Sequence, residues 1–195
     1  MKKLILLSLL LFPLSLHAEI FTLDPGQSQL EWVGKKVTGQ HNGLIKVKSG
    51  TLNFDGKEIT GGEFEIDMTT IEVLDLKDPK SNAKLTNHLK SGDFFSIQEF
   101  PTARFTITRV EEEKGSNKIE VTGNLTLKGI THPITIPAVL TQNGNTLAAK
   151  GQVKLDRTQW NVRYGSGKFF DGLGDKLIYD DFLLKLNLIA KKQLM

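Results

Sequence analysis

The sequence predicts an all-β domain of about eight antiparallel strands, an up-and-down barrel or a sandwich, with one short helix near residues 80–90. Three observations carry that expectation. Apolar and polar residues alternate in run after run, turn residues separate the runs by only a few positions, and one segment alone breaks the period of two.

The 195-residue chain opens with Lys2 and Lys3, followed by an uncharged stretch from Leu4 to Leu16 that ends at the small residue Ala18. This is the pattern of a signal peptide cleaved after residue 18, and the stretch is too short to span a bilayer, which takes about 20 residues. The mature domain is then 19–195. Removing Lys2 and Lys3 lowers the formal charge from +3 to +1, so the sequence pI near 9.0 overstates the basicity of the mature chain. A balanced surface gives no footprint for nucleic acid. The chain has no cysteine, which excludes disulfides, thiolate metal sites, a cysteine nucleophile and a lipid anchor on a cysteine after the signal.

The strands follow in order. Leu30, Trp32 and Gly34 share a face near the front, and a long run from Gly43 to Phe54 comes next. Phe64, Ile66 and Met68 alternate with Glu63, Glu65 and Asp67. Asp78-Pro79-Lys80-Ser81 is a helix start, and Asn82 to Lys90 reads as a short helix ending before Gly92. Phe105 and Ile107 lead into Ile119–Leu127, Ile134–Leu140, Leu147–Leu155 and Phe182–Ala190, each with a period of two. Asp55-Gly56, Gly61-Gly62, Gly115-Ser116-Asn117, Lys128-Gly129 and Asn143-Gly144-Asn145 read as the intervening turns. Such short links join antiparallel neighbours. The small inward residues Gly123, Ala138, Ala149 and Gly151 either leave a cavity or accommodate facing aromatics.

Tests for catalytic chemistry come back negative. Tyr164-Gly165-Ser166-Gly167-Lys168 imitates a phosphate-binding loop, but Phe169 stands at the magnesium-ligating position and Val162 at the first glycine. His41, His88 and His132 lie about 45 residues apart, with no local metal-binding pair. Asp171-Gly172-Leu173-Gly174-Asp175 lacks calcium-loop spacing, and no G-x-S-x-G elbow occurs. The reading is therefore no metal, no cofactor and no enzyme.

Three stretches taken together carry a family likeness. They are Asn87-His88-Leu89-Lys90-Ser91-Gly92-Asp93-Phe94-Phe95 with Phe100-Pro101-Thr102-Ala103-Arg104-Phe105; Thr122-Gly123-Asn124-Leu125-Thr126-Leu127-Lys128-Gly129-Ile130-Thr131-His132-Pro133; and Leu155-Asp156-Arg157-Thr158. In this order they resemble the YceI-like family of exported bacterial proteins, over nearly all of residues 20–191. The resemblance implies a lipocalin-like, eight-stranded barrel with a helix over one end. It also implies a polyisoprenoid lipid, such as a polyprenyl phosphate or isoprenoid quinone, bound inside. The family's histidine near the first strand is replaced here by Trp32-Val33-Gly34-Lys35, and its aspartate by Asn124.

On that frame the candidate wall residues are Trp32, Phe64, Phe105, Trp160, Phe169, Phe170 and Phe182. Each also fits ordinary core packing. Phe94, with Phe95 and Phe100, would plug one end, and His88 would either seat the helix or touch a ligand head at the mouth. Residues 156–175 mix Arg157, Arg163 and Lys168 with Trp160, Tyr164, Phe169 and Phe170. Cations beside aromatics suit a flat or anionic head; the plain alternative is a surface loop whose arginines pair with Asp171, Asp175 or Asp180. The expected activity is storage or carriage of the lipid in a Gram-negative periplasm, or after secretion. A lipid-modifying enzyme would require His41, His88, His132, Asp156 and Arg157 to converge, and a solidly packed barrel would instead mark an envelope interaction protein. Nothing in the residues sets the oligomeric state, so a homodimer stays open beside a monomer.

Overall fold

The computed structural model describes residues 19–193, so the expected signal peptide at 1–18 lies outside the described residues. Nine strands and one α-helix follow: β1 (Glu19–Leu23), β2 (Gln29–Lys36), β3 (Gly39–Phe54), β4 (Ile59–Val73), α1 (Pro79–Lys90), β5 (Thr102–Glu112), β6 (Lys118–Leu127), β7 (Ile130–Asn143), β8 (Thr146–Asp156) and β9 (Ile178–Lys192). From β2 to β9 each strand pairs antiparallel with its neighbour in the chain, and β9 returns to β1 and β2. The sheet is thus a closed up-and-down barrel, not a sandwich.

Nine strands make eight staves because β1 and β2 share one place in the wall. Both pair with β3 on one side and β9 on the other, β1 through Phe21↔Leu52 and Phe21↔Lys192, β2 through Trp32↔Gly43 and Trp32↔Leu184. The break between them is held by Asp24, whose carboxylate accepts from Gly26 N at 3.1 Å, and by Ser28 Oγ, which donates to the Ile189 carbonyl at 3.3 Å. β1 is absent from the strands expected above, since five residues show too few alternations to signal one. Gly61-Gly62, expected as a turn, instead lies inside β4 opposite Asn53 and Leu52. Small residues there admit the close approach of β3, where an added Cβ on Gly62 would reach the Leu52 side chain at 3.0 Å.

Lys128-Gly129 is a true two-residue turn. Both residues have positive φ, 51° and 74°, as a hairpin whose twist matches its strands requires. The helix starts where expected: the Asp78 carboxylate caps Ser81 N at 2.8 Å, Pro79 sits in the first turn, and His88 and Lys90 stand at the C-terminal end. Its buried residue is Leu89.

One seam of the wall is incomplete. β7 and β8 pair only from Ala138↔Gly151 to Asn143↔Thr146, leaving residues 130–137 without partners in β8. Leu140 N donates to the Asn117 carbonyl, on the β6 side, so by alternation the odd-numbered positions of β7 face β8. Those include Pro133 and Pro137, which have no N–H to give. A 3₁₀ turn, Arg157–Trp160, tucks in at the foot of the seam. There the fully buried Trp160 donates its Nε1–H to the Leu125 carbonyl at 3.2 Å, and His132 Nε2 donates to the Gln159 carbonyl at 3.1 Å.

Glycines opposite aromatics shape the inner wall. A Cβ on Gly123 would lie 2.5 Å from Phe105 Cζ, and one on Gly50 would overlap the Phe64 ring. Each ring therefore lies back over a glycine of the next strand instead of crossing the lumen. Gly43 is tighter still, because a Cβ there would overlap the Glu72 carbonyl oxygen and come within 2.7 Å of Trp32. Gly43→Ala is expected to destabilise the domain by about 1–3 kcal/mol, as overpacking does, read as a lower urea midpoint with an unchanged slope.

Candidate functional site: the barrel lumen

Alternation on eight staves gives the barrel an inner face of aliphatic and aromatic side chains. It encloses two apolar cavities end to end, of about 100 Å³ and about 120 Å³. Leu30, Ile66, Leu125 and Leu184 line both and mark where the two meet. Engineered cavities of ~150 Å³ with such linings stay dry and accept benzene-sized guests. On β9 the lining begins at Ile178, Tyr179 and Asp181, and its unbroken apolar part runs from Phe182 to Ala190. At ~3.4 Å per residue and a strand tilt near 40°, that gives the tube a length of ~20 Å. Its dimensions suit a long thin hydrocarbon better than a compact one.

The two cavities differ in polarity. The one far from the helix is lined by hydrocarbon side chains throughout, including Ala138, Ala149, Leu186 and Leu188. The one near the helix is closed by Leu89, Phe94 and Phe95 and adds Arg157, Tyr179 and Asp181 at its rim. Thus Ala138 and Ala149 do leave room, whereas Gly123 accommodates an aromatic; both readings of the small inward residues hold, at different positions.

The candidate residues divide into two groups. Trp32, Phe64, Phe94, Phe105, Arg157 and Phe182 line the lumen. Trp160 is core below it. His88 lies outside the lining, with its ring edge-on to Phe94 at 4.9 Å and to Tyr164 at 4.4 Å and its Nε2 3.2 Å from Asp93. Arg163 stacks over Phe169 at 4.5 Å, and Tyr164, Phe169 and Phe170 are exposed, so Phe169 and Phe170 are not wall residues: the loop carries them outside the barrel. Lining residues absent from the candidate set, among them Leu184, Leu186 and Leu188, stand on the period-two face of the last strand, and that face is the signal that finds them. They are merely aliphatic, and attention to aromatic and charged residues passes over them. His41 is bonded to Asp75 at 2.8 Å, His88 to Asp93 and His132 to Gln159, so the three histidines are held apart.

Charge is gathered at the helix end in one clasp. Arg157 is 4% exposed. Its Nε and two terminal nitrogens donate to the carbonyls of Tyr179 (3.2 Å), Val162 (2.7 Å) and Ile178 (3.1 Å), with Asp180 Oδ1 at 3.5 Å. Burial works against its positive charge, and the nearby Asp180 and Asp156 support it. Lys168 reaches back from the loop to Asp156 at 2.6 Å and Asp180 at 3.6 Å. Of the aspartates proposed as loop partners, the structure selects Asp180.

Burial disfavours the Asp156 carboxylate, but hydrogen bonds from Lys168 and from the Thr158 hydroxyl and N–H outweigh it and hold its pKa below the usual range. A depressed carboxyl pKa contributes stability above the unfolded value, about 3.9, and loses it as pH falls through the folded value. Lys168 is shifted up by the hydrogen bond to Asp156, so its contribution is lost only on the alkaline side. The clasp should therefore hold at neutral pH and release only when pH falls below the ordinary carboxylate range. The check is NMR: Gly165 and Ser166 amide shifts should move on acidification of the wild type, and Asp156→Asn should show the released shifts already at neutral pH.

A closed antiparallel barrel around an apolar lumen, with a helix over one end, is a lipocalin-like architecture. The YceI-like domain matches residues 21–190, and the chain belongs to that family. It is 32% identical over 121 residues to Protein YceI of Salmonella arizonae and, equally, of Salmonella newport, a match covering 58% of this chain and 60% of theirs. The match thus spans somewhat under two thirds of those curated relatives' length. Among solved structures, Burkholderia cenocepacia BcnA is similar at 26% identity and a TM-score of 0.70, over 87% of this chain and 99% of that one. A polyisoprenoid binding domain from Saccharophagus degradans, implicated in plant cell wall breakdown, shares the fold at 10% identity and a TM-score of 0.64, over 89% and 98%.

Proposed function

We propose that the protein is a non-catalytic carrier or store for a polyisoprenoid-type lipid, a polyprenyl phosphate, isoprenoid quinone or similar amphiphile, held in the barrel lumen. The observation that carries this reading is the lumen itself, apolar along ~20 Å with four residues shared between its two cavities. An isoprenoid tail leaving water for such a tube gains about 0.8 kcal/mol per CH₂ equivalent, enough for firm binding with few polar contacts. The lining of the far cavity offers no acid, base or nucleophile, which favours holding over conversion. The Saccharophagus degradans domain of the same fold, described as polyisoprenoid-binding, supports the ligand class. The polar rim at Tyr179 and Asp181 is the place for a head group. We place the mature protein, residues 19–195, in the periplasm on the strength of the 1–18 segment.

Native mass spectrometry of the mature protein from its exported fraction, followed by organic extraction, tests the proposal. The expected result is one prenyl-type lipid per chain. A clean apo mass, with no uptake of added quinone or polyprenyl phosphate, would overturn it in favour of a packed interaction protein.

A further inference from the structure

The two ends of the barrel differ chemically in a way the lumen does not require. Four connections meet at the helix end: 37–38, 74–101, 128–129 and 157–177. Eight large hydrophobic side chains are exposed among the described residues, and six of them lie here: Val37, Leu74, Tyr164, Phe169, Phe170 and Tyr179. Residues 35–38, 74–101, 128–129 and 156–181 hold eleven Lys and Arg against nine Asp and Glu. At the opposite end the balance reverses. Residues 24–28, 55–58, 111–118 and 144–145, with chain ends 19 and 191–193, hold seven Asp and Glu against five Lys and Arg.

The apolar end is built as one surface. Val37 N donates to the Leu177 carbonyl at 3.2 Å. Lys128 Nζ, at the β6–β7 turn, donates to the carbonyls of Gly92 at 3.2 Å and Asn161 at 3.3 Å, tying three connections together. Phe169 and Phe170 are presented by a turn anchored on fully buried Ser166, whose carbonyl accepts from both of their N–H groups at 3.2 and 3.1 Å. Their rings are thus held outward by a fixed backbone, with the Arg163 guanidinium over Phe169.

We propose that this end docks on the surface of an anionic lipid bilayer. Exposed aromatic rings beside a guanidinium match a headgroup layer, where rings sit at the interface and ammonium or guanidinium groups meet phosphates. The opposite, acidic end would be repelled from the same surface. Docking in this sense sets the helix-end cavity, closed by Leu89, Phe94 and Phe95, next to the bilayer. The proposal does not depend on which lipid fills the lumen.

The test uses the mature protein with vesicles of phosphatidylglycerol and phosphatidylethanolamine in equal parts, free of isoprenoids, so failure here is separate from failure of the lumen reading. The wild type should co-sediment with these vesicles and not with phosphatidylcholine, and should lose binding in high salt as the Debye length shrinks to ~3 Å. The Phe169→Ser/Phe170→Ser double variant should bind at least about tenfold more weakly, whereas Glu112→Gln/Glu113→Gln at the other end should not weaken binding. Phe170→Trp gives a second reading, a blue-shifted emission quenched by brominated lipid. Wild-type protein left in the supernatant with unshifted Phe170→Trp emission would overturn the proposal, as would a double variant that binds normally. A concentration-dependent dimer abolished by the same double variant, without vesicle binding, would overturn it too and assign the face to a second copy.

Discussion

Arg157→Met should cost the domain about 3–5 kcal/mol, the largest loss expected from a single side chain here. The guanidinium donates to three carbonyls at the point where β8 hands over to the loop and β9 begins. It also faces Asp180 Oδ1, which is buried and has no hydrogen-bond partner of its own. Methionine fills similar volume and donates nothing, so three acceptors and one carboxylate lose this partner together. Unfolding in urea measures the cost, and Asp180→Asn in the variant background should recover part of it, by removing the buried negative charge. A loss under about 1 kcal/mol would mean that water reaches these carbonyls and that the clasp does not seal this end.

Ala149→Phe should remove ligand binding while leaving a folded barrel. Ala149 lies on the inner face of β8, opposite Leu140 and Leu188, and lines the wholly hydrocarbon cavity of about 100 Å³. A phenyl ring there takes the space of a tail segment. Excluding about five carbons at ~0.8 kcal/mol each forfeits ~4 kcal/mol, nearly a thousandfold in affinity. The fold itself should lose only about 1–3 kcal/mol from added bulk. Titration with a prenyl alcohol, followed by native mass spectrometry, reads the effect. Val139→Phe, at an exposed position on the outer face of β7, is the matched control. Wild-type affinity in Ala149→Phe would place the tail elsewhere and sink the lumen reading.

Much of the site is legible in the order of its residues. Period-two runs identify most of the inner face, because a strand buried on one side must alternate. The start of α1 is legible from Asp78 and Pro79, whose capping chemistry is local. The roles of charged and aromatic residues are not. Arg157 and Arg163 look alike in sequence, yet one is buried among carbonyls and the other lies over the exposed Phe169. Only the path of the loop separates them.

The sequence by itself determined an all-β antiparallel chain with one capped helix, since alternation, turns and caps act over a few residues. It also contained the motifs that the family match bears out. Only the tertiary structure decided that the sheet closes, with β1 and β2 sharing one stave against β9, whose partner positions lie roughly 150 residues away along the chain. It alone decided that Phe64 and Phe105 lie back over glycines and leave the tube open, and that six exposed hydrophobics meet at one end. These are outcomes of register and closure, and pairs so distant along the chain leave no local signal in it.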